Sequence, residues 1–199
     1  MHSLIAAARA LTAAEALSVL LAIAYLLLAV RRSRWCWLAG GLSSAIAVVL
    51  ALQHRVPMQA LLNVYYVGVS VYGFYQWSPA GATPQRPIGT WPLRWHLTAC
   101  TGIVLASVLS ARVLAHDSGE AWPFLDSITT WGSLFTTWLV ARMKLENWLY
   151  WLVIDAALVY LFGAQQLYLF ALLNLVYLAI VVAGFRSWLR SYQQQALPA

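Results

Sequence analysis

The sequence predicts an all-α polytopic membrane protein of seven transmembrane helices, arranged 3+1+3 around a parallel internal repeat. Three observations predict it. Of 199 residues, 62% are hydrophobic and only 9% charged, against about 25% charged in a soluble domain. Seven apolar segments each approach the roughly 20 residues that a bilayer-crossing helix needs. The third of them also recurs, without a gap and with about half its positions identical, as the seventh.

The segments fall at 12–30, 35–52, 58–77, 95–115, 124–141, 148–162 and 167–189. The first is followed by Arg31, Arg32 and Arg34 and lacks a small-residue cleavage site after a basic region, so a retained span is expected rather than a signal peptide, with the chain beginning at Met1. The second and sixth are short, and the fifth is rich in hydroxyls. Between the third and fourth, "SPAGATPQRPIGTWPLR" (78–94) is dense in Pro and Gly and reads as an irregular linker. Cys36 and Cys100 lie inside apolar segments, where packing is expected rather than a disulfide or a metal pair.

The net charge of +6 does not point to nucleic acid, because the basic residues stand at the ends of apolar runs rather than in one patch. Arg31, Arg32, Arg34, Arg86, Arg94, Arg142, Lys144, Arg186 and Arg190 fall on one side of a seven-span topology, and Arg9, Arg55 and Arg112 on the other. By the positive-inside rule the N-terminus is expected outside and the C-terminus in the cytoplasm, with Asp117 and Glu120 facing outward.

"ALLNVYYVGVSVYGFYQW" (60–77) aligns without a gap to "ALLNLVYLAIVVAGFRSW" (171–188), about half the positions being identical. The matches include Asn63 with Asn174, Tyr66 with Tyr177, Gly73 with Gly184, Phe74 with Phe185 and Trp77 with Trp188. The same offset sets Trp37 over Trp148, so the first three spans repeat as the last three. An even number of crossings separates the copies, which makes the repeat parallel. Transporters of that kind hold substrate near the midplane between the halves. The expected units are a first three-helix bundle at 1–77, a linker and connecting helix at 78–116, and a second three-helix bundle at 117–199. Chance similarity of two apolar helices is the alternative.

"LENWLYWLVIDAALVYLF" (145–162) places Asp155 deep in the sixth span, where a carboxylate costs about 2.5 to 3.5 kcal/mol on insertion scales. At 100 degrees per residue Trp148, Trp151 and Asp155 share one stripe. Gln59, Asn63, Tyr66 and Ser70 share a face of the third span, Asn174 and Tyr177 repeat it on the seventh, and Asp126, Thr130, Ser133 and Thr137 line one face of the fifth, with Thr129 and Trp131 close by. Each piece has a plainer reading. Hydroxyls in membrane helices bond to their own backbone, an Asn pair joins helices, Trp148 suits an interfacial belt, and the tyrosines suit a core. Asp155 fits the plain reading least, since no intramembrane Lys or Arg is available to pair with it; it is protonated, bonded to Asn or Tyr, or ionised opposite a cationic ligand. A carboxylate among indoles and phenols suits a small aromatic cation.

Other classes fit worse. His2, His54, His96 and His116 lie at termini or span ends without metal-ligand spacing, and no G-x-S-x-G occurs, so neither an enzyme nor a cofactor is expected. A retinal protein needs a buried lysine, and Lys144 stands at a span end. A structural or assembly role is opposed by the converging polar stripes.

"WPFLDS" (122–127), "ENWLYWLVID" (146–155) and "GFRSW" (184–188) resemble the PnuC-type vitamin transporters, and the likeness covers nearly the whole chain. The resemblance implies a bacterial inner-membrane protein similar in architecture to the SWEET sugar transporters, working by facilitated diffusion with the cargo trapped by cytoplasmic phosphorylation. It also implies a lipid bilayer and a small-molecule vitamin as partners, with a homo-oligomer, a trimer for instance, as a possibility. It assigns Trp148, Trp151, Asp155, Asn63 and Asn174 to the substrate site, to which the stripes add Tyr66, Tyr177, Gln59, Asp126 and Thr130. An Asn commonly stands in this family where Asp155 stands here, and a Gln where Asn63 does. Nicotinamide riboside is the expected cargo and thiamine the alternative, both being aromatic cations.

Overall fold

The computed structural model describes residues 12–53, 57–78, 87–117 and 122–195. Arg9, Arg55, Arg86 and Glu120 of the charge asymmetry, His2 and His54, and the middle of the linker lie outside the described residues. Seven helices run in order among those described: α1 (Ala13–Val30), α2 (Trp35–Gln53), α3 (Pro57–Gln76), α4 (Leu93–Asp117), α5 (Pro123–Ala141), α6 (Asn147–Ala164) and α7 (Tyr168–Gln195). All lie within a few residues of the predicted spans. α7 runs furthest past its prediction, because the polar turn after Leu189 continues the helix.

Helix ends follow local chemistry. Thr12 caps α1 in a reciprocal box, its hydroxyl accepting from the Glu15 N–H while the Glu15 carboxylate accepts from the Thr12 N–H. α5 starts on Pro123, which has no N–H to lose at that position. The turns after α1 and α5 are built alike. Arg32 and Met143 both take a left-handed φ, 54° and 52°. Behind them Ser33 N donates to Leu28 O and Lys144 N to Leu139 O, each at 3.0 Å. These residues coincide under the alignment that pairs Trp37 with Trp148, so the repeat extends beyond the helices it was read from.

Five of the helices, α1, α2, α4, α6 and α7, are long and apolar enough to cross a membrane. α3 and α5 are less apolar because one face of α3 carries amide and hydroxyl side chains and one face of α5 carries Asp126 and a row of hydroxyls. An all-α, multi-pass membrane protein follows, as the sequence predicts. Packing contacts join α1 to α2, α2 to α3, α3 to α5, α5 to α6, α6 to α7 and α7 to α1, a closed ring of six. α4 lies outside that ring against α5.

The linker before α4 is tied to the second half of the chain. Gly89 N donates to Met143 O at 3.1 Å and its carbonyl accepts from Leu145 N at 3.0 Å. The Glu146 carboxylate accepts from Trp91 N at 2.7 Å, and Gln195 at the end of α7 accepts from Ile88 N at 3.1 Å. Arg31, Arg32, Arg34, Arg94, Arg142, Lys144, Arg186 and Arg190 all stand at the end of the ring where these ties are made. It is called the basic end below.

Candidate functional site

Inside the ring is a cavity of about 520 Å³, within the size range of small-molecule sites. Its walls come from all six ring helices. α3, α6 and α7 contribute Asn63, Tyr66, Trp151, Asp155, Asn174 and Tyr177, and α5 contributes Asp126, Thr130, Ser133 and Thr137. Gln59 lines the end away from the basic end. Nine of the ten residues expected at a substrate site therefore meet around one space.

The tenth, Trp148, stands elsewhere. It is 2% exposed and is not among the cavity's lining residues. Its ring lies tight against Gly184 of α7 and edge-on to Trp188, 5.5 Å between centroids. Trp148 and Trp151 are three residues apart and one turn apart in depth, so one indole reaches the cavity and the other the packing beneath it. Trp131 also points away, exposed on α5 and donating to the Ser110 hydroxyl at 3.0 Å.

Asp155 is 3% exposed, yet no hydrogen bond or ion pair to its carboxylate occurs among the described residues. Tyr177 lines the same cavity from α7. Among the described residues the lining contains a second carboxylate, Asp126, and no Lys, Arg or His, so ionisation of either acid makes the potential inside negative. Asn63 and Asn174 each donate one amide hydrogen to the carbonyl four residues back, at 2.8 and 2.9 Å. Thr129 and Thr137 likewise bond to their own helix. The backbone bonding expected of such residues and the cavity-facing position coexist, because an amide keeps a second hydrogen and its oxygen, and a hydroxyl keeps its lone pairs.

Sequence reasoning missed the first-half wall: Ser18, Tyr25, Gly40, Ser43 and Ser44. The repeat carried the signal. Its offset sets Gly40 opposite Trp151 and Ser44 opposite Asp155, so the two halves present matching positions with unlike chemistry, small residues facing an indole and a carboxylate. Tyr25 lies across Gly40, where an added Cβ would come within 2.9 Å of its ring.

The nicotinamide mononucleotide transporter family model matches residues 12–190. The chain belongs to that family. It is 22% identical over 176 residues to the nicotinamide riboside transporter PnuC of Escherichia coli (strain K12), covering 74% of this chain and 72% of the relative. It is 27% identical over 175 residues to the riboflavin/roseoflavin transporter RibM of Streptomyces davaonensis, covering 85% and 81%. The crystal structure of a vitamin B3 transporter PnuC superposes with a TM-score of 0.72 at 20% identity, over 90% of this chain and 82% of that one, which establishes a shared fold.

Proposed function

We propose that this family member carries nicotinamide riboside across the bacterial inner membrane by facilitated diffusion and alternating access, with phosphorylation in the cytoplasm trapping the cargo. The observation that carries the cargo class is Asp155, a carboxylate on the cavity wall with no cation beside it among the described residues. An aromatic cation compensates it, with Trp151, Tyr66 and Tyr177 as ring contacts worth on the order of 0.5 to 2 kcal/mol each when desolvated. Asn63, Asn174, Gln59, Asp126 and Thr130 then orient hydroxyl and amide groups of the cargo. The basic end faces the cytoplasm by the positive-inside rule, and the halves rock about the site, α4 riding with the second half to which its linker is tied.

A riboflavin-class cargo is the second reading, favoured by the higher identity and coverage of the RibM relative. Calorimetry on the purified protein with nicotinamide riboside, thiamine and riboflavin separates the readings. Saturable binding of nicotinamide riboside supports the first, selective binding of thiamine or riboflavin replaces it, and no binding of any of the three overturns the vitamin reading.

A further inference from the structure

Between the cavity and the basic end four tryptophans stand in file. Trp37 meets Trp77 at 5.5 Å between ring centroids, Trp77 meets Trp188 at 5.9 Å, and Trp188 meets Trp148 at 5.5 Å. None is more than 5% exposed. Cavity lining ends at Ser70 on α3 and Tyr177 on α7, and Trp77 and Trp188 lie seven and eleven residues further on, about 10 to 16 Å along a helix. The file closes that end.

The file divides in the middle. Trp37 and Trp77 belong to the first repeat, Trp148 and Trp188 to the second, and each pair is fitted together by a glycine, Gly73 under Trp37 and Gly184 under Trp148. Only the central ring contact crosses between repeats. Two hydrogen bonds cross with it, and they are reciprocal. Trp77 Nε1 donates to Ala141 O at the end of α5, and Trp188 Nε1 donates to Ala29 O near the end of α1, each at 3.1 Å. The other two indoles are buried with no acceptor at Nε1. A buried donor of that kind is a cost that parting the halves and admitting water would relieve.

We propose that this file is the gate at the basic end, latched by the Trp77–Ala141 and Trp188–Ala29 hydrogen bonds. The proposal rests on the alternating-access reading above. On opening, each tryptophan pair moves as a unit with its own half, and what breaks at this end is one ring contact, the two indole hydrogen bonds and the Arg142 Nη1 hydrogen bond to the Tyr72 hydroxyl at 3.3 Å.

Cys36 is fully buried within the same core as Trp37, Trp77 and Trp188 and serves as the reporter. In a Cys100→Ser background in lipid nanodiscs, its labelling by a water-soluble methanethiosulfonate is measured without cargo. Trp77→Phe and Trp188→Phe keep a six-membered aromatic ring and remove the donor together with the pyrrole part of the indole. Each is expected to speed labelling about five-fold, and the pair about 25-fold, if each bond carries its typical net worth. A second reporter, Gln59→Cys in a chain lacking Cys36 and Cys100, lies at the opposite end and is expected to label more slowly when the latch is removed. Unchanged labelling of Cys36 in the double variant overturns the proposal. So does faster labelling at both ends, the mark of a loosened fold. If the double variant does not accumulate, each single variant is held to its own five-fold expectation. Because no cargo is present, these outcomes are separate from the binding result that would overturn the vitamin reading.

Discussion

Asp155 is where the energetics of single residues weigh most. A carboxylate at bilayer depth costs about 2.5 to 3.5 kcal/mol on insertion scales, and here no protein cation or hydrogen bond offsets it among the described residues. Asp155→Asn removes the charge and keeps the shape. If the carboxylate is matched to a cationic ring, calorimetry of this variant is expected to give an affinity for nicotinamide riboside at least about tenfold weaker, about 1.4 kcal/mol. Stability should hold or rise, since the burial cost goes with the charge. A neutral cargo such as riboflavin should bind the variant and the parent alike. Equal affinity of both forms for nicotinamide riboside would remove the electrostatic role.

At the scale of helices, Trp148 and Gly184 explain why one predicted site residue sits outside the cavity. The indole lies tight against that glycine, and an added Cβ at Gly184 would run into the ring. Gly184→Ala is therefore expected to destabilise the α6–α7 pair by about 1 to 3 kcal/mol, the usual cost of overpacking, seen as a lower thermal midpoint. Vitamin binding should persist, because Trp151 and Asp155 stand apart from that contact. The helices were legible because runs of apolar residues end at arginines, prolines and glycines, and the polar stripes on α3, α5, α6 and α7 were legible because helical spacing converts directly into a face. What periodicity could not resolve was depth along a face: Trp148 and Trp151 share a stripe but not a level. The Ser18 and Ser43 side chains, bonded across α1 and α2 by Ser43 Oγ to Ser18 O at 2.8 Å, belong to helices so apolar that no stripe stood out. The linker's clip onto the α5–α6 turn was hidden because it is made by backbone groups, which leave little trace in side-chain pattern.

For the whole molecule, the placement of α4 decides which units can move. The sequence suggested a linker and connecting helix between the two bundles, and contacts at both its start and its face run to the second half: the Gly89 backbone clip, Trp91 N on Glu146, and His96 Nδ1 against the Tyr150 hydroxyl at 3.0 Å. Between the halves the contacts are fewer, α1 on α7 and α3 on α5, with Tyr65 donating to Leu134 O at 2.9 Å. On the proposed rocking mechanism, three helices then part from four. Two thiol cross-links test this division. Joining native Cys100 to Tyr150→Cys through a short, reducible bis-methanethiosulfonate spacer, in a Cys36→Ser background, ties α4 to α6; the Cys100 sulfur lies 3.5 Å from the hydroxyl at the tip of Tyr150, so the spacer fills the length that the shorter side chain gives up. Uptake into proteoliposomes should continue after that link is made. Joining Tyr65→Cys to Leu134→Cys with the same spacer, with both native cysteines replaced, ties α3 to α5 across the proposed boundary, and uptake should stop until the link is reduced. If the α4–α6 link also stops uptake, α4 moves as a hinge of its own. If the α3–α5 link leaves uptake intact, the halves do not part along that surface, and the rocking motion must be assigned elsewhere.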